Sequence, residues 1–411
     1  MAIDSRLKSG LKSLVLMAFL LGLWTIPARS DTPLQMPFFS DASITLHPRM
    51  YYINRHFDTP QTQETLAMGG WVELKSGAWN GLSFGLTPYT SQWLAGSKDH
   101  DGGGLLQEGQ KSYTVLGEAY AQWKGLDSKV ILYRQLLDTP FLNSFDVKMV
   151  PVTYEAYTLV NQSISNLTLT LSQVEHIKPW TSTSFQSFSE AAGLDGSDDG
   201  MTLAGILWEP ESITLQIWNY YAYNIVNSLY AQADYKGPDS SDATWTLSAQ
   251  GMAQQDVGSA YAGEIQAGMG GLLGGMIWNG FTFNLGGTIT DNNTDIYNPW
   301  ASYPGYGSLM EEDNDVAGEK DWVAGLAYDF SEIGLKDLSA FVWHSSAWAP
   351  EQGSLSDPHQ QEWDITADYK PGGFWEGLWV RARAAYVDNS LSLDGADYED
   401  LRLIVNYERS W

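Results

Sequence analysis

From residue 43 onward the chain is a succession of segments about ten residues long in which polar and apolar side chains alternate, and this period constrains the fold more than any other feature. In Ser43–Arg55, Ile44 and Leu46 alternate with polar neighbours; Thr168, Thr170 and Ser172 oppose Leu167, Leu169 and Leu171. Ile213, Leu215 and Ile217 alternate with Thr214, Gln216 and Trp218. Val115, Gly117, Ala119, Ala121 and Trp123 read as one face, with Glu118, Tyr120 and Gln122 on the other. A period of two puts successive side chains on opposite faces of a strand, and roughly ten tilted residues are what a strand needs to cross a bilayer.

The connections fall into two alternating sizes. Gly77–Gly81, Gly125–Ser128, Ile164–Asn166, Glu209–Ser212, Asn279–Gly280 and Pro371–Gly377 are short. Ala95–Lys111, Leu136–Val150, Glu175–Gly200, Thr290–Glu319, Ser346–Gln360 and Asp388–Tyr398 are long. Short-long alternation predicts up-and-down hairpins with tight periplasmic turns and longer outer loops. Eighteen segments, the first at 43–55 and the last at 399–411, predict an all-β, closed antiparallel transmembrane barrel with both ends on the periplasmic side. A barrel of that width leaves an aqueous lumen rather than a packed interior.

The first thirty residues read as a separate unit. Arg6, Lys8 and Lys12 precede an apolar run from Leu14 to Ile26, and Ala28 and Ser30 offer small residues before Asp31. That is the pattern of a cleaved secretory signal over residues 1–30, leaving 31–411 as the barrel domain, and the run is short for a spanning helix. The longest later apolar stretch, Gly268–Phe283, carries six glycines and Asn279. With no cysteine, thiolate metal sites and thiol nucleophiles are excluded. A formal charge of −27 excludes nucleic acid as a partner.

Of eighteen tryptophans, twelve cluster near the segment ends: Trp71, Trp79, Trp93, Trp123, Trp208, Trp218, Trp245, Trp278, Trp322, Trp343, Trp375 and Trp379. They are expected to form the interfacial girdles of a membrane barrel. The chain closes Leu401-Arg402-Leu403-Ile404-Val405-Asn406-Tyr407-Glu408-Arg409-Ser410-Trp411, an alternating strand ending on an aromatic residue, as outer-membrane barrels do.

Three stretches resemble the OprD family of substrate-specific outer-membrane porins. They are Ser43–Arg55 with its Arg49, Tyr51-Tyr52 and Asn54-Arg55; Pro151-Val152-Thr153-Tyr154-Glu155-Ala156; and Arg381 with Arg383 followed by Arg402. The resemblance implies an eighteen-stranded barrel, monomeric or loosely trimeric, set in outer-membrane lipid and lipopolysaccharide. It also implies a pore narrowed by inward-folded loops, chiefly the third and seventh, with a basic ladder facing an acidic patch and solutes that carry a carboxylate.

Parity assigns the arginines on its own terms. Arg381 and Arg383 share a face opposite Val380, Ala382 and Ala384, and Arg402 stands opposite Leu401 and Leu403. Charge on the lipid face costs ~2–4 kcal/mol near the midplane, so all three are expected in the lumen. They read either as a track for carboxylates or as braces paired with Asp368, Glu399 or Glu408. The third long connection is unusually apolar, and its Leu137, Phe141, Leu142 and Val150 need something to pack on. An inward fold supplies it and would make Asp138, Asp146 and Lys148 constriction charges; packing against neighbouring loops or a trimer partner is the alternative.

Glu311-Glu312-Asp313-Asn314-Asp315 and Asp195-Gly196-Ser197-Asp198-Asp199 read as solvated acidic outer loops. Binding of Ca²⁺ or Mg²⁺ there is the alternative, and no other cofactor is expected. The six histidines show no metal-ligand spacing, and neither a G-x-S-x-G elbow nor a phosphate-cradling loop occurs. The expected function is therefore non-enzymatic: passive, partly selective diffusion of small polar solutes such as amino acids, organic acids or small peptides. A general cation-leaning porin, a barrel enzyme acting on lipid or peptide, and a secreted all-β binding protein are the other readings.

Overall fold

The alternating segments form eighteen strands: Ser43–Phe57 (β1), Thr62–Lys75 (β2), Leu82–Ala95 (β3), Tyr113–Gly125 (β4), Ser128–Gln135 (β5) and Thr153–Ile164 (β6). Then come Leu167–Lys178 (β7), Met201–Trp208 (β8), Ile213–Ala222 (β9), Val226–Lys236 (β10), Thr244–Asp256 (β11) and Gln266–Trp278 (β12). Phe281–Thr290 (β13), Lys320–Asp329 (β14), Leu338–Trp348 (β15), His359–Tyr369 (β16), Leu378–Asn389 (β17) and Tyr398–Tyr407 (β18) complete them. The computed structural model describes Lys12, Val15 and residues 37–59, 61–196, 200–238, 243–351, 358–391 and 395–411. Apart from Lys12 and Val15, the expected signal segment lies outside the described residues, as do Ser197, Asp198 and Asp199 of one acidic loop.

Each strand pairs antiparallel with its sequence neighbour, and β1 pairs with both β2 and β18, so the sheet closes. Closure leaves no strand edge unpaired. After Glu408 a two-residue extension, Arg409–Ser410, continues along β1, and Trp411 and Ile44 exchange both backbone hydrogen bonds (2.9 and 3.0 Å). The aromatic carboxy-terminal residue is thereby built into the seam.

Burial is inverted relative to a water-soluble domain. Leu285, Leu272 and Ile365 are 65%, 61% and 58% exposed, whereas Arg402, Asp400 and Glu362 are at most 2% exposed. Such a distribution is stable only with hydrocarbon outside and a polar lumen inside. Among the described residues no helix is long and apolar enough to cross a membrane; the strands do so.

The inner turns are tight. Asn279 and Gly280 have φ of 46° and 78°, the left-handed pair a two-residue hairpin turn requires. The outer connections are less uniform than expected: 58–61 and 223–225 are as short as inner turns, while 96–112, 136–152, 179–200 and 291–319 are long.

Strict alternation also fails in β4. Thr87 pairs with Glu118 and Pro88 with Leu116, so Gly117 is bulged out. Pro88 has no N–H for the ladder, which is where a bulge is tolerated. Val115 and Glu118 therefore both face inward, Glu118 accepting from the Tyr89 hydroxyl at 2.7 Å, instead of standing on opposite faces.

Candidate functional site in the barrel lumen

Strands β17, β18 and β1 carry a strip of five inward arginines. On β17, Ala382 and Ala384 are exposed and Arg381 and Arg383 turn inward. On β18, Leu401 and Leu403 face out while Arg402 lies directly opposite Arg383. Across the seam, Arg55 of β1 is opposite Asp400 and Arg49 is opposite Asn406.

Four of the five are held by carboxylates. Arg381 grips Asp368 through Nε and Nη2 at 2.7 and 2.8 Å, and the Trp379 indole donates to the same carboxylate. Arg402 and Arg55 donate through Nε to the two oxygens of Asp400 at 2.8 and 2.9 Å, and both also contact Glu311. Arg49 donates to both oxygens of Asp146 at 2.6 and 2.9 Å and to the Lys148 carbonyl. Arg383 differs: its Nε donates to the Thr366 hydroxyl at 3.2 Å, and no carboxylate among the described residues lies within ion-pair distance.

The third outer loop (136–152) reaches both sides of the lumen. At one end Asp146 and the carbonyls of Val147 and Lys148 are held by Arg49 and Tyr51 of β1. At the other, the Phe141 ring meets Tyr220 of β9 and Tyr230 of β10 edge-on at 5.4 and 5.7 Å. Leu142, Met149 and Val150 are fully buried, which accounts for the loop's apolar composition. Asp138, near its start, is exposed and borders a recess of about 500 Å³ whose far wall includes Gln216, Trp218, Tyr230 and Gln232.

Lys148 donates to the Gly103 carbonyl at 2.9 Å beside the Trp180 ring. Burial, reinforced by Arg402 and Arg55, pushes its ammonium down to about 7. Below that pH the constriction carries one more positive charge, and above it the charge is gone. Anion-to-cation permeability, read from reversal potentials, should therefore fall as pH rises through 7. Burial also raises Asp315 and Glu319 of the seventh loop to about 7 and 8, which acts in the same direction. Lys148→Met isolates the lysine's share: the slope should flatten without vanishing, and an unaltered slope would remove Lys148 from the ion path.

The seventh outer loop (291–319) folds onto the strip rather than into solvent. Its tip is clipped by the Glu362 carboxylate, which accepts from the backbone N–H of Met310, Glu311 and Glu312 at 3.0, 2.9 and 3.0 Å. The Glu311 side chain is almost wholly buried against Arg55 and Arg402. Asn314, 2% exposed, binds Ser345 and the Gly307 carbonyl. Within Glu311–Asp315 the solvated face that composition suggested holds for the exposed Asp313 but not for Glu311 and Asn314, because buried arginines attract the Glu311 carboxylate more strongly than bulk water retains it in this geometry. Among the described residues no group of three acidic or histidine side chains converges as a metal ion would require.

The sequence profile of the outer membrane porin, OprD family, matches residues 36–411. The chain belongs to the OprD family of outer-membrane porins. It is accordingly a passive diffusion channel of the bacterial outer membrane. Among solved structures, Pseudomonas aeruginosa OccK9 (OpdG) shares 24% identity at a TM-score of 0.83, covering 91% of this chain and 100% of that one. P. aeruginosa OpdK, solved with vanillate, shares 22% at 0.82 over 91% and 100%. Acinetobacter baumannii OccAB3 shares 19% at 0.82 over 90% and 100%. At such identities the likeness speaks for the fold. No curated protein sequence matches the porin.

Within this porin the structure gathers Arg381, Arg383 and Arg402 on one wall and brings Asp146 and Lys148 to it from the third loop, while Asp138 faces the opposite side. Arg49 and Arg55, which carry part of the family resemblance, are not placed in the basic strip by the sequence reading, although both share the parity of the buried Tyr51 and Ile53. Of the three acids proposed as braces, Asp368 pairs with Arg381, Glu408 pairs with His47 (3.0 Å), and Glu399 is exposed on the outward face of β18. Trp71, Trp218 and Trp379 leave the expected girdles for the lumen: Trp71 stacks on His47 at 3.8 Å, Trp218 is buried and Trp379 binds Asp368.

Proposed function

We propose that this porin passes small solutes bearing a carboxylate, among them amino acids, organic acids and small peptides, along the strip Arg381–Arg383–Arg402 and past the constriction charges Asp138, Asp146 and Lys148. Arg383 carries this reading. A lumen guanidinium whose hydrogen bond, among the described residues, is to a hydroxyl, with Asp364 near but beyond ion-pair distance, keeps most of its donors for a planar carboxylate, and its neighbours Arg381 and Arg402 offer the next partners on either side. Exchange between adjacent guanidinium groups keeps each step weak enough for release, which conduction requires. OpdK, a structural neighbour, was solved with vanillate, itself a carboxylate.

Arg383→Gln tests it by proteoliposome uptake. A charge-assisted hydrogen bond is worth about 1.5 kcal/mol or more, so uptake of a small carboxylate should fall about tenfold while a neutral sugar of similar size is unaffected. Equal changes for both solutes would make the arginines wall braces and the pore a general one that leans toward cations, as the excess of acidic residues favours.

A further inference from the structure

We propose that Glu311 is a tethered competitor of the permeating carboxylate: its side chain sits in the seat formed by Arg55 and Arg402, and a solute advances by replacing it there. This rests on the carboxylate reading above and adds to it the residue that sets how tightly the strip holds its solute.

The two arginines divide their donors between two kinds of acid. Asp400, on the same wall, takes the Nε edges at 2.8 and 2.9 Å. The Nη2 ends of both arginines reach Glu311, which belongs to a loop and not to the wall. The wall carboxylate is a fixed counter-ion; the loop carboxylate occupies the position a third carboxylate would take. With both acids seated, two guanidinium groups face two carboxylates and the cluster is neutral. With Glu311 withdrawn it would carry one net positive charge, Arg55 Nη2 would lose its carboxylate and Arg402 Nη2 would keep only its 3.3 Å bond to Asp400, a costly state. Release of Glu311 is therefore favourable only as an exchange.

Two further features make the exchange local. Arg383, directly opposite Arg402 in the ladder and, among the described residues, with no carboxylate in ion-pair distance, Asp364 being its nearby but unbonded counter-charge, is a landing place one strand from the seat. The tip backbone is clipped to Glu362 through three N–H groups, so Glu311 can rotate off while the loop stays in place. A tethered carboxylate is present at high effective concentration, and the apparent affinity for any competitor is reduced by the fraction of time the seat is open. Fast release, which a channel needs, follows from that reduction.

The test is single-channel recording in planar bilayers, scoring carboxylate-induced current interruptions for the parent porin, Glu311→Gln, Glu311→Asp and Arg383→Gln. SDS resistance of unheated samples verifies that each variant folds. In Glu311→Gln, interruption times for a small carboxylate should lengthen about tenfold, with a neutral sugar unaffected. Glu311→Asp keeps the charge but shortens the reach, and interruptions should lengthen there too. If Glu311→Asp behaves as the parent while Glu311→Gln lengthens them, Glu311 acts through its field alone and the seat is disproved. If neither acidic variant alters interruptions while Arg383→Gln abolishes them, Glu311 is a brace and only the competitor idea falls. If Arg383→Gln leaves carboxylate and sugar equally treated, the carboxylate reading itself falls, and this inference with it.

Discussion

Excision of residues 138–148 is expected to raise single-channel conductance several-fold. β1 and β10 stand nine places apart in a ring of eighteen strands, the greatest separation the ring allows, and the third loop touches both. It therefore lies across the lumen, and current must pass around it. Without it, an eighteen-stranded wall encloses an open aqueous channel. The strand ladder contains none of the excised residues, so the barrel should remain SDS-resistant when unheated. Wall aromatics such as Tyr220 and Tyr230, buried in the intact channel, then face water, a modest cost because their hydroxyls can take water as a partner. Unchanged conductance in a folded variant would place the loop outside the current path.

Loss of Arg402 should be the most damaging single substitution in the strip. Its guanidinium is 2% exposed and shared between Asp400 and Glu311. Removing one member of a buried ion cluster typically costs 3–5 kcal/mol because the partner charges stay desolvated. Arg55 still serves both acids here, so Arg402→Met is expected near the lower end, about 3 kcal/mol, in urea unfolding from lipid vesicles. Arg383→Gln breaks no ion pair and should cost less than about 1 kcal/mol, the worth of an ordinary hydrogen bond. Similar costs for the two would mean that Arg402 and Arg383 are equally supported, against the geometry.

Local periodicity explains what was legible beforehand. Leu401-Arg402-Leu403 already states which side chain faces water, because a lipid-facing arginine is too costly, and the same parity holds along β17. A closed up-and-down barrel already implies that the first strand meets the last, but periodicity is silent on their register. Arg49 and Arg55 join the strip because β1 closes on β18 in the register that sets Arg55 opposite Asp400. It is equally silent on loop paths: Glu311 is 91 residues from Arg402, and nothing in an acidic run announces that one of its members is buried on arginine. At the Gly117 bulge period two itself misleads, and the signal is present in Pro88 on the facing strand. The tryptophans misled for a related reason: abundance near strand ends suggests girdles, but only parity separates a lipid-facing Trp245 from a lumenal Trp71 or Trp379.

The central claim is that the lumen holds carboxylates transiently on a basic strip. Its most direct measurement is the current through single, unmodified channels with a small carboxylate and then a neutral sugar of similar size added on the outer side. The strip predicts resolved, concentration-dependent interruptions with the carboxylate that fade as salt rises, since charge pairing in an aqueous lumen is screened, and none with the sugar. Interruptions of equal frequency for both solutes, or independent of salt, would contradict it.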